Sequence, residues 1–331
     1  MIASMVMCKP AQVRQPLNNM PSANSSGGQM LNLTNLNLPC QKEKVVLVMG
    51  ATGAGKTRLS IDLATYFPAE IINSDKMQVY EGLDIVTNKI TKEEQRGVPH
   101  HLLGTQNPNS EFTAADFCDM TTLAVESITG RGQLPIIVGG SNSYIEALID
   151  DDDYKFRSRY DCCCLWVDVS MPVLHPYIDE RVDQMFNNGM LNELRSFYNP
   201  NGDYSRGIRK AIGVPEFDQY FRSEPFRDEE TRIKLLQQAI REVKENTSKL
   251  AIKQLRKIHT LRNVKRWKIH HLDATPVFRK KGKDANETWK ELVAEPSVRI
   301  VAEFLYNVNT ANVGATLRLP TLATAIATAT C

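Results

Sequence analysis

Apolar residues follow two rhythms along this chain. Short, nearly unbroken runs occur at Val45–Met49, Ala69–Ile72, Leu134–Val138 and Cys162–Val169. Bounded runs of this kind suit strands buried on both faces of a sheet. Between them the apolar positions recur at helical spacing. Leu59, Ile61, Leu63, Ala64 and Phe67 form one such stretch, and Phe112, Ala115, Phe117, Met120, Leu123, Ala124 and Ile128 form another. A third helix is predicted over Asn142–Ile149. Val98-Pro-His-His-Leu-Leu103 reads as a short strand or turn, with its two histidines making structural hydrogen bonds. Strands alternating with helices predict an α/β fold, a parallel sheet flanked by helices on both faces. From Pro176 the pattern turns mainly helical. Tyr177–Tyr198 is broken at Asn187-Asn188-Gly189, and a long amphipathic helix is predicted from Asp228 to Lys268. The division expected is an α/β core over 43–175, a smaller helical part over 176–305, and a disordered tail over 306–331 with no periodic apolar face.

Composition narrows the class. At 331 residues the chain can bury a large core. No apolar run approaches the ~20 residues of a membrane span. A net charge of +2 conceals a basic stretch, Lys249–Lys283, with twelve Lys or Arg and one acid, Asp273. The seven cysteines include Cys162, Cys163 and Cys164 in succession, and none shows zinc spacing. They read as reduced, buried thiols. Residues 1–42 contain no acid and are rich in Ser, Asn and Gln, without a secretory apolar core. That composition suits an organellar transit peptide or a plain disordered extension.

The first apolar run leads into Gly50-Ala-Thr-Gly-Ala-Gly55-Lys56-Thr57, and a helical stretch follows at once. Strand, glycine loop and helix together are the context that makes G-x-x-x-x-G-K-[ST] a P-loop. Gly53 and Gly55 can take positive φ, and the loop and helix N–H groups can then surround a phosphate. Lys56 would neutralise oxygens and the Thr57 hydroxyl would ligate Mg²⁺. Asp75 follows the second strand, so it falls beside the loop if those two strands are neighbours. The usual partner of a P-loop, an aspartate ending an apolar strand, is missing from Leu134–Val138, which closes on Gly139-Gly140-Ser141. Asp168 could supply it only from late in the chain. This lowers the expectation of an ATP-hydrolysing switch or motor.

GATGAGKT, Asn73-Ser-Asp75-Lys-Met-Gln-Val-Tyr80, Gly82-Leu-Asp-Ile-Val-Thr-Asn-Lys89, VPHHLLG and Val138-Gly-Gly-Ser-Asn-Ser-Tyr144 stand in that order. Together with Arg181-Val-Asp-Gln-Met185 and Ile208-Arg-Lys-Ala-Ile-Gly213 they resemble the isopentenyltransferase family, over roughly residues 44–272. That family holds plant adenylate isopentenyltransferases and tRNA dimethylallyltransferases, and the wording is closest to the plant adenylate group. The resemblance implies a P-loop NTPase-like core and a helical part that completes a nucleotide site. It implies transfer of a dimethylallyl group from dimethylallyl diphosphate to N6 of ATP or ADP, with AMP left open. Diphosphate would be released, in the first step of cytokinin biosynthesis.

On that resemblance Asp75 is the general base, with Lys56 and Thr52 as its catalytic partners and Thr52 reaching the bridging oxygen. The donor's diphosphate would lie against Gly50, Gly53, Ala54, Gly55, Lys56, Thr57 and Arg181. The nucleotide would meet Asp75, Thr87, Ser141, Arg209, Lys210 and Lys253, with Ser141 chiefly supporting its loop. The tRNA enzymes carry a helical insertion where this chain has only Asp150–Asp161, so a free nucleotide is expected and a nucleic acid is not. The alternatives are a tRNA dimethylallyltransferase and a P-loop small-molecule kinase, which would put its nucleotide in the loop. A monomer in the plastid stroma is expected, with the cytoplasm as the alternative compartment.

Overall fold

Two layers of helices enclose one twisted parallel sheet. The computed structural model describes residues 42–223 and 228–306. The expected leader, apart from Lys42, and the expected tail, apart from Tyr306, lie outside them. The strands are β1 (Glu43–Gly50), β2 (Ala69–Asn73), β3 (His100–His101), β4 (Leu134–Val138), β5 (Tyr160–Asp168) and β6 (Ile269–Asp273). They lie in the order β3-β2-β4-β1-β5-β6, and every pairing is parallel. The central strands are buried on both faces, which is why they read as continuous apolar runs.

The helices of the first half are α1 (Lys56–Tyr66), α2 (Ala114–Gly130), α3 (Asn142–Asp150) and the one-turn α4 (Phe156–Arg159). After β5 come α5 (Met171–Asn187), α6 (Met190–Phe197), α7 (Asp218–Ser223) and the long α8 (Glu229–Asn263). One face of the sheet, with Val46, Val48, Ile71 and Ile136, packs on Leu59 and Leu63 of α1. The other face, with Leu47, Met49, Ile72 and Ile137, packs on α2, α3 and α8 through Phe117, Val125, Ile145 and Ile258. Thr113 caps α2 in a reciprocal capping box with Asp116, and Gly189 at φ +102° makes the predicted break between α5 and α6.

Two features depart from the sequence reading. The long helix ends at Asn263, short of Lys268, and β6 follows. Only Leu272 of β6 is fully buried, because an edge strand presents little apolar pattern. The helical part is therefore not helical throughout. Its last third returns to the sheet through α9 (Thr275–Phe278), α10 (Gly282–Trp289), a π-helical turn over Lys290–Ala294 and α11 (Glu295–Tyr306). Trp289, Val293, Val298 and Val301 bury against the α1 face.

Of the four described thiols, Cys162 is only half-buried and the other three follow the expectation. Cys118, Cys163 and Cys164 are buried and unbridged, and burial pushes the Cys163 thiol up to about 12.

Candidate active site

The glycine loop leaves β1 at Gly50 and enters α1 at Lys56. Gly55 sits at φ +98°, and a Cβ there would lie 2.7 Å from the Trp289 ring. The indole covers the loop from outside, is held by its own N–H to Asp62 Oδ2 at 2.7 Å, and has the Arg58 guanidinium over its ring. On the inner side α5 crosses the loop, with Leu174 and Ile178 against Gly53. Loop and α5 bound a cavity of about 350 Å³, which Thr52, Lys56, Thr57, Asp75, Tyr177, Arg181 and Gln184 line.

Two cations in this cavity form no ion pair with any described residue. Arg181 Nη2 donates to Thr52 Oγ1 at 2.9 Å, while its Nε is enclosed with no partner among the described residues. Burial lowers the Arg181 pKa from its ordinary value. Lys56 keeps part of its stem exposed, but its ammonium is enclosed and donates to the Ala51 carbonyl at 2.8 Å. That burial brings its pKa down to about 8, with the nearby Asp75 opposing the shift and Arg181 adding to it. An enclosed, unpaired guanidinium beside an enclosed ammonium is costly unless a ligand supplies the charge. Such a pair suits an anionic ligand.

Asp75 reaches the same cavity by a route the sequence did not suggest. Its strand, β2, is not beside β1, because β4 lies between them. The condition set for Asp75 fails, yet the residue arrives because β4 ends in two glycines. A Cβ at Gly139 would overlap Ser74 Oγ and stand 2.7 Å from the Asp75 nitrogen. Without it, the Ser74–Asp75 turn folds across the end of β4. Asn73 holds that turn, accepting the Asp75 N–H and donating to the Asp75 and Leu102 carbonyls. Asp75 Oδ1 accepts the Met77 N–H at 2.9 Å, and Oδ2 takes no hydrogen bond from any described residue. The missing strand-end aspartate and the placement of Asp75 thus have one cause. Asp168 is elsewhere, accepting from His271 Nε2 at 2.9 Å.

Ser141 supports the same turn, accepting the Lys76 N–H at 3.0 Å. Thr87 is not on the cavity wall. Its hydroxyl donates to the Leu83 carbonyl, and its own carbonyl accepts from Gln78, which does line the cavity. The Glu193 carboxylate pins that loop by accepting the Ile85 and Val86 N–H groups. Three of the expected basic residues are not in this cavity. Arg209 stacks over Phe197, Lys210 pairs with Glu111 at 3.0 Å, and Lys253 is exposed on α8. The next residue, Gln254, turns inward instead and bonds to both Thr52 and Gly140. Helical periodicity marks position 254 as buried, but nothing in the sequence ties a glutamine 202 residues away to the glycine loop. His101 bonds Glu70 as a structural residue, whereas His100 lines the cavity with an unpartnered Nε2.

Known proteins resemble this chain over most of its length. The family described as IPP transferase matches residues 78–158 and 150–260. The Arabidopsis thaliana protein "Adenylate isopentenyltransferase 3, chloroplastic" is 56% identical over 308 residues, covering 92% of this chain and 90% of its own. "Adenylate isopentenyltransferase 7, mitochondrial" from the same plant is 50% identical over 272 residues, covering 81% and 82%. Among solved structures, a eukaryotic dimethylallyltransferase acting on tRNA superposes with a TM-score of 0.67 at 24% identity, over 80% of each chain. That likeness speaks to the fold.

Proposed function

The chain belongs to the IPP transferase family, and on that premise we propose that it is an adenylate dimethylallyltransferase. It moves the dimethylallyl group of dimethylallyl diphosphate to N6 of an adenine nucleotide, ADP or ATP before AMP. The observation that carries the reading is a carboxylate, Asp75, in one cavity with two enclosed cations that form no ion pair among the described residues.

The donor's diphosphate sits on the glycine loop, against Lys56 and Arg181. Thr52 Oγ1 already accepts from Arg181, so its own proton is left to donate to the bridging oxygen. The exocyclic amine of adenine attacks C1 of the donor. The N6–C1 bond forms as the C1–O bond breaks, and the electron pair leaves on the diphosphate. An aromatic amine is a poor nucleophile until its proton has somewhere to go, and Asp75 Oδ2 accepts it. General-base help of this kind contributes about 10²–10⁴-fold. Donors aimed at the departing oxygens stabilise the charge that develops there.

Thr57 stands in the first turn of α1 on the cavity wall, and no described cluster of three or more His, Cys, Asp or Glu could hold a metal alone. Such a donor set fits Mg²⁺, which takes few protein ligands and completes its shell with phosphate oxygens and water. Bound through Thr57, it would neutralise diphosphate charge.

A free nucleotide is favoured over tRNA because α3 runs to the one-turn α4 with only residues 151–155 between them. The relatives named as adenylate enzymes support the same choice. No described helix is long and apolar enough to cross a membrane. Relatives named chloroplastic and mitochondrial support an organelle, and we assign the plastid, with the protein a monomer there. A fluorescent protein fused after residue 331 reports the compartment. Incubation with dimethylallyl diphosphate, Mg²⁺ and AMP, ADP, ATP or tRNA in turn tests the activity. Prenylated mononucleotide supports the reading. Product on tRNA alone, or phosphoryl transfer alone, overturns it.

A further inference from the structure

Displacement at an allylic carbon places a strict demand on geometry. The attacking nitrogen, C1 and the leaving oxygen must lie on one line, so the proton acceptor and the leaving-group donor must keep a fixed separation. Here those groups are Asp75 and Thr52, on loops that leave the non-adjacent strands β2 and β1. Strand pairing fixes the strands but not the loops beyond them.

One side chain from α8 spans the gap. Gln254 Oε1 accepts the Thr52 N–H at 2.7 Å, and Gln254 Nε2 donates to the Gly140 carbonyl at 3.1 Å. The residue is only 7% exposed. Its backbone carbonyl accepts from Asn142 Nδ2 at 3.3 Å, tying α8 to the same loop. From Gly140 the path continues through Ser141, whose N–H donates to the Ser74 carbonyl at 3.3 Å, and ends at Asp75. Glycine at 140 leaves room for this bond, because a Cβ there would overlap the Gln254 amide nitrogen as it now lies. A primary amide is also what the position needs, with one acceptor and one donor in a fixed plane and no charge. The Thr52 N–H is committed to Gln254, which leaves Thr52 its hydroxyl for the ligand.

We propose that Gln254 is a positioning residue that sets the separation between Asp75 and Thr52, and thereby directs the allylic carbon to nitrogen instead of water. When the frame loosens, water attacks C1, the C1–O bond breaks, and dimethylallyl alcohol leaves alongside diphosphate. The inference rests on the transferase reading above.

The test follows both products of dimethylallyl diphosphate, with Mg²⁺ and ADP, in the wild-type chain and in Gln254→Leu, Gln254→Met and Gln254→Glu. The wild-type chain is assayed first. If it makes no prenylated nucleotide, the transferase reading fails, whatever the variants do. If it is active, Leu and Met variants should lose at least ~10-fold in kcat with both KM values within about threefold. The alcohol fraction should rise in parallel. The Glu variant keeps an acceptor for Thr52 and should fall between. Wild-type kcat and alcohol fraction in a folded Leu or Met variant overturn the proposal, as does a loss confined to donor KM. If Leu does not fold, the near-isosteric Met variant decides. Failure of all three to fold assigns the clasp to stability and also overturns it.

Discussion

Lys56 should take up a proton when the donor binds. Burial holds its pKa at about 8 in the free protein, against an ordinary value of 10.5. Diphosphate oxygens placed against the ammonium favour its charged form and return the pKa to the ordinary value or above. The uptake then follows from the fraction deprotonated beforehand, about 0.1 proton at pH 7, about half at pH 8 and about 0.9 at pH 9. The sign is fixed by the direction of the shift. A lysine with a lowered folded pKa opposes folding below pH 8, and that opposition fades as the pH rises from about 8 to 10.5. Donor affinity runs the other way, highest below pH 8 and falling by up to about tenfold per pH unit above it. Calorimetry with dimethylallyl diphosphate and Mg²⁺ but no nucleotide, in two buffers of different ionisation heat, measures the uptake. Lys56→Met supplies the reference and removes the donor's own ionisation from the difference. Equal uptake by the two proteins at pH 8 and pH 9 would refute the reasoning.

Asp75→Asn should leave donor binding near normal and lower kcat by at least ~10²; an unchanged rate removes Asp75 as the base. Gly140→Ala puts a methyl into the Gln254 amide, so kcat should fall while circular dichroism stays native; wild-type turnover would show that the loop has room to spare. Trp289→Phe keeps an aromatic ring over Gly55 but leaves Asp62 without the indole N–H, a loss of about 1–3 kcal/mol in denaturant unfolding. Glu193→Ala frees the Ile85 and Val86 N–H groups and should raise nucleotide KM more than donor KM; equal rises in steady-state kinetics would detach that loop from the nucleotide.

The elements legible in the sequence were those whose burial is local. β1, β2, β4 and β5 announce themselves because both faces are covered and glycine or a polar turn bounds them. β6 was missed because Ile269-His-His-Leu-Asp273 carries two apolar residues on an edge strand. The lysines and arginines on either side continued the composition of the helix before it. The glycine loop and Asp75 were readable as chemistry, but not the means by which they meet. That depends on β4 lying between β1 and β2, which spacing along the chain does not encode. Gln254 and Trp289 were illegible for a related reason, since each meets the loop across more than two hundred residues. Lys253 was chosen for its charge, and one step along a helix turns a side chain by about 100°.

The glycine pair that ends β4 also constrains the ancestry and the engineering of this site. A side chain at Gly139 would strike Ser74 and the Asp75 nitrogen, so an aspartate ending β4 and the turn that delivers Asp75 exclude each other. The two arrangements are alternatives and cannot be added together. A one-residue path from this centre toward a hydrolase of the common P-loop type crosses an intermediate in which Asp75 is displaced before the new carboxylate is useful. Directed evolution begun from this chain should therefore change the prenyl donor or the acceptor readily. It should convert the centre to nucleotide hydrolysis only when positions 74, 75 and 139 vary together.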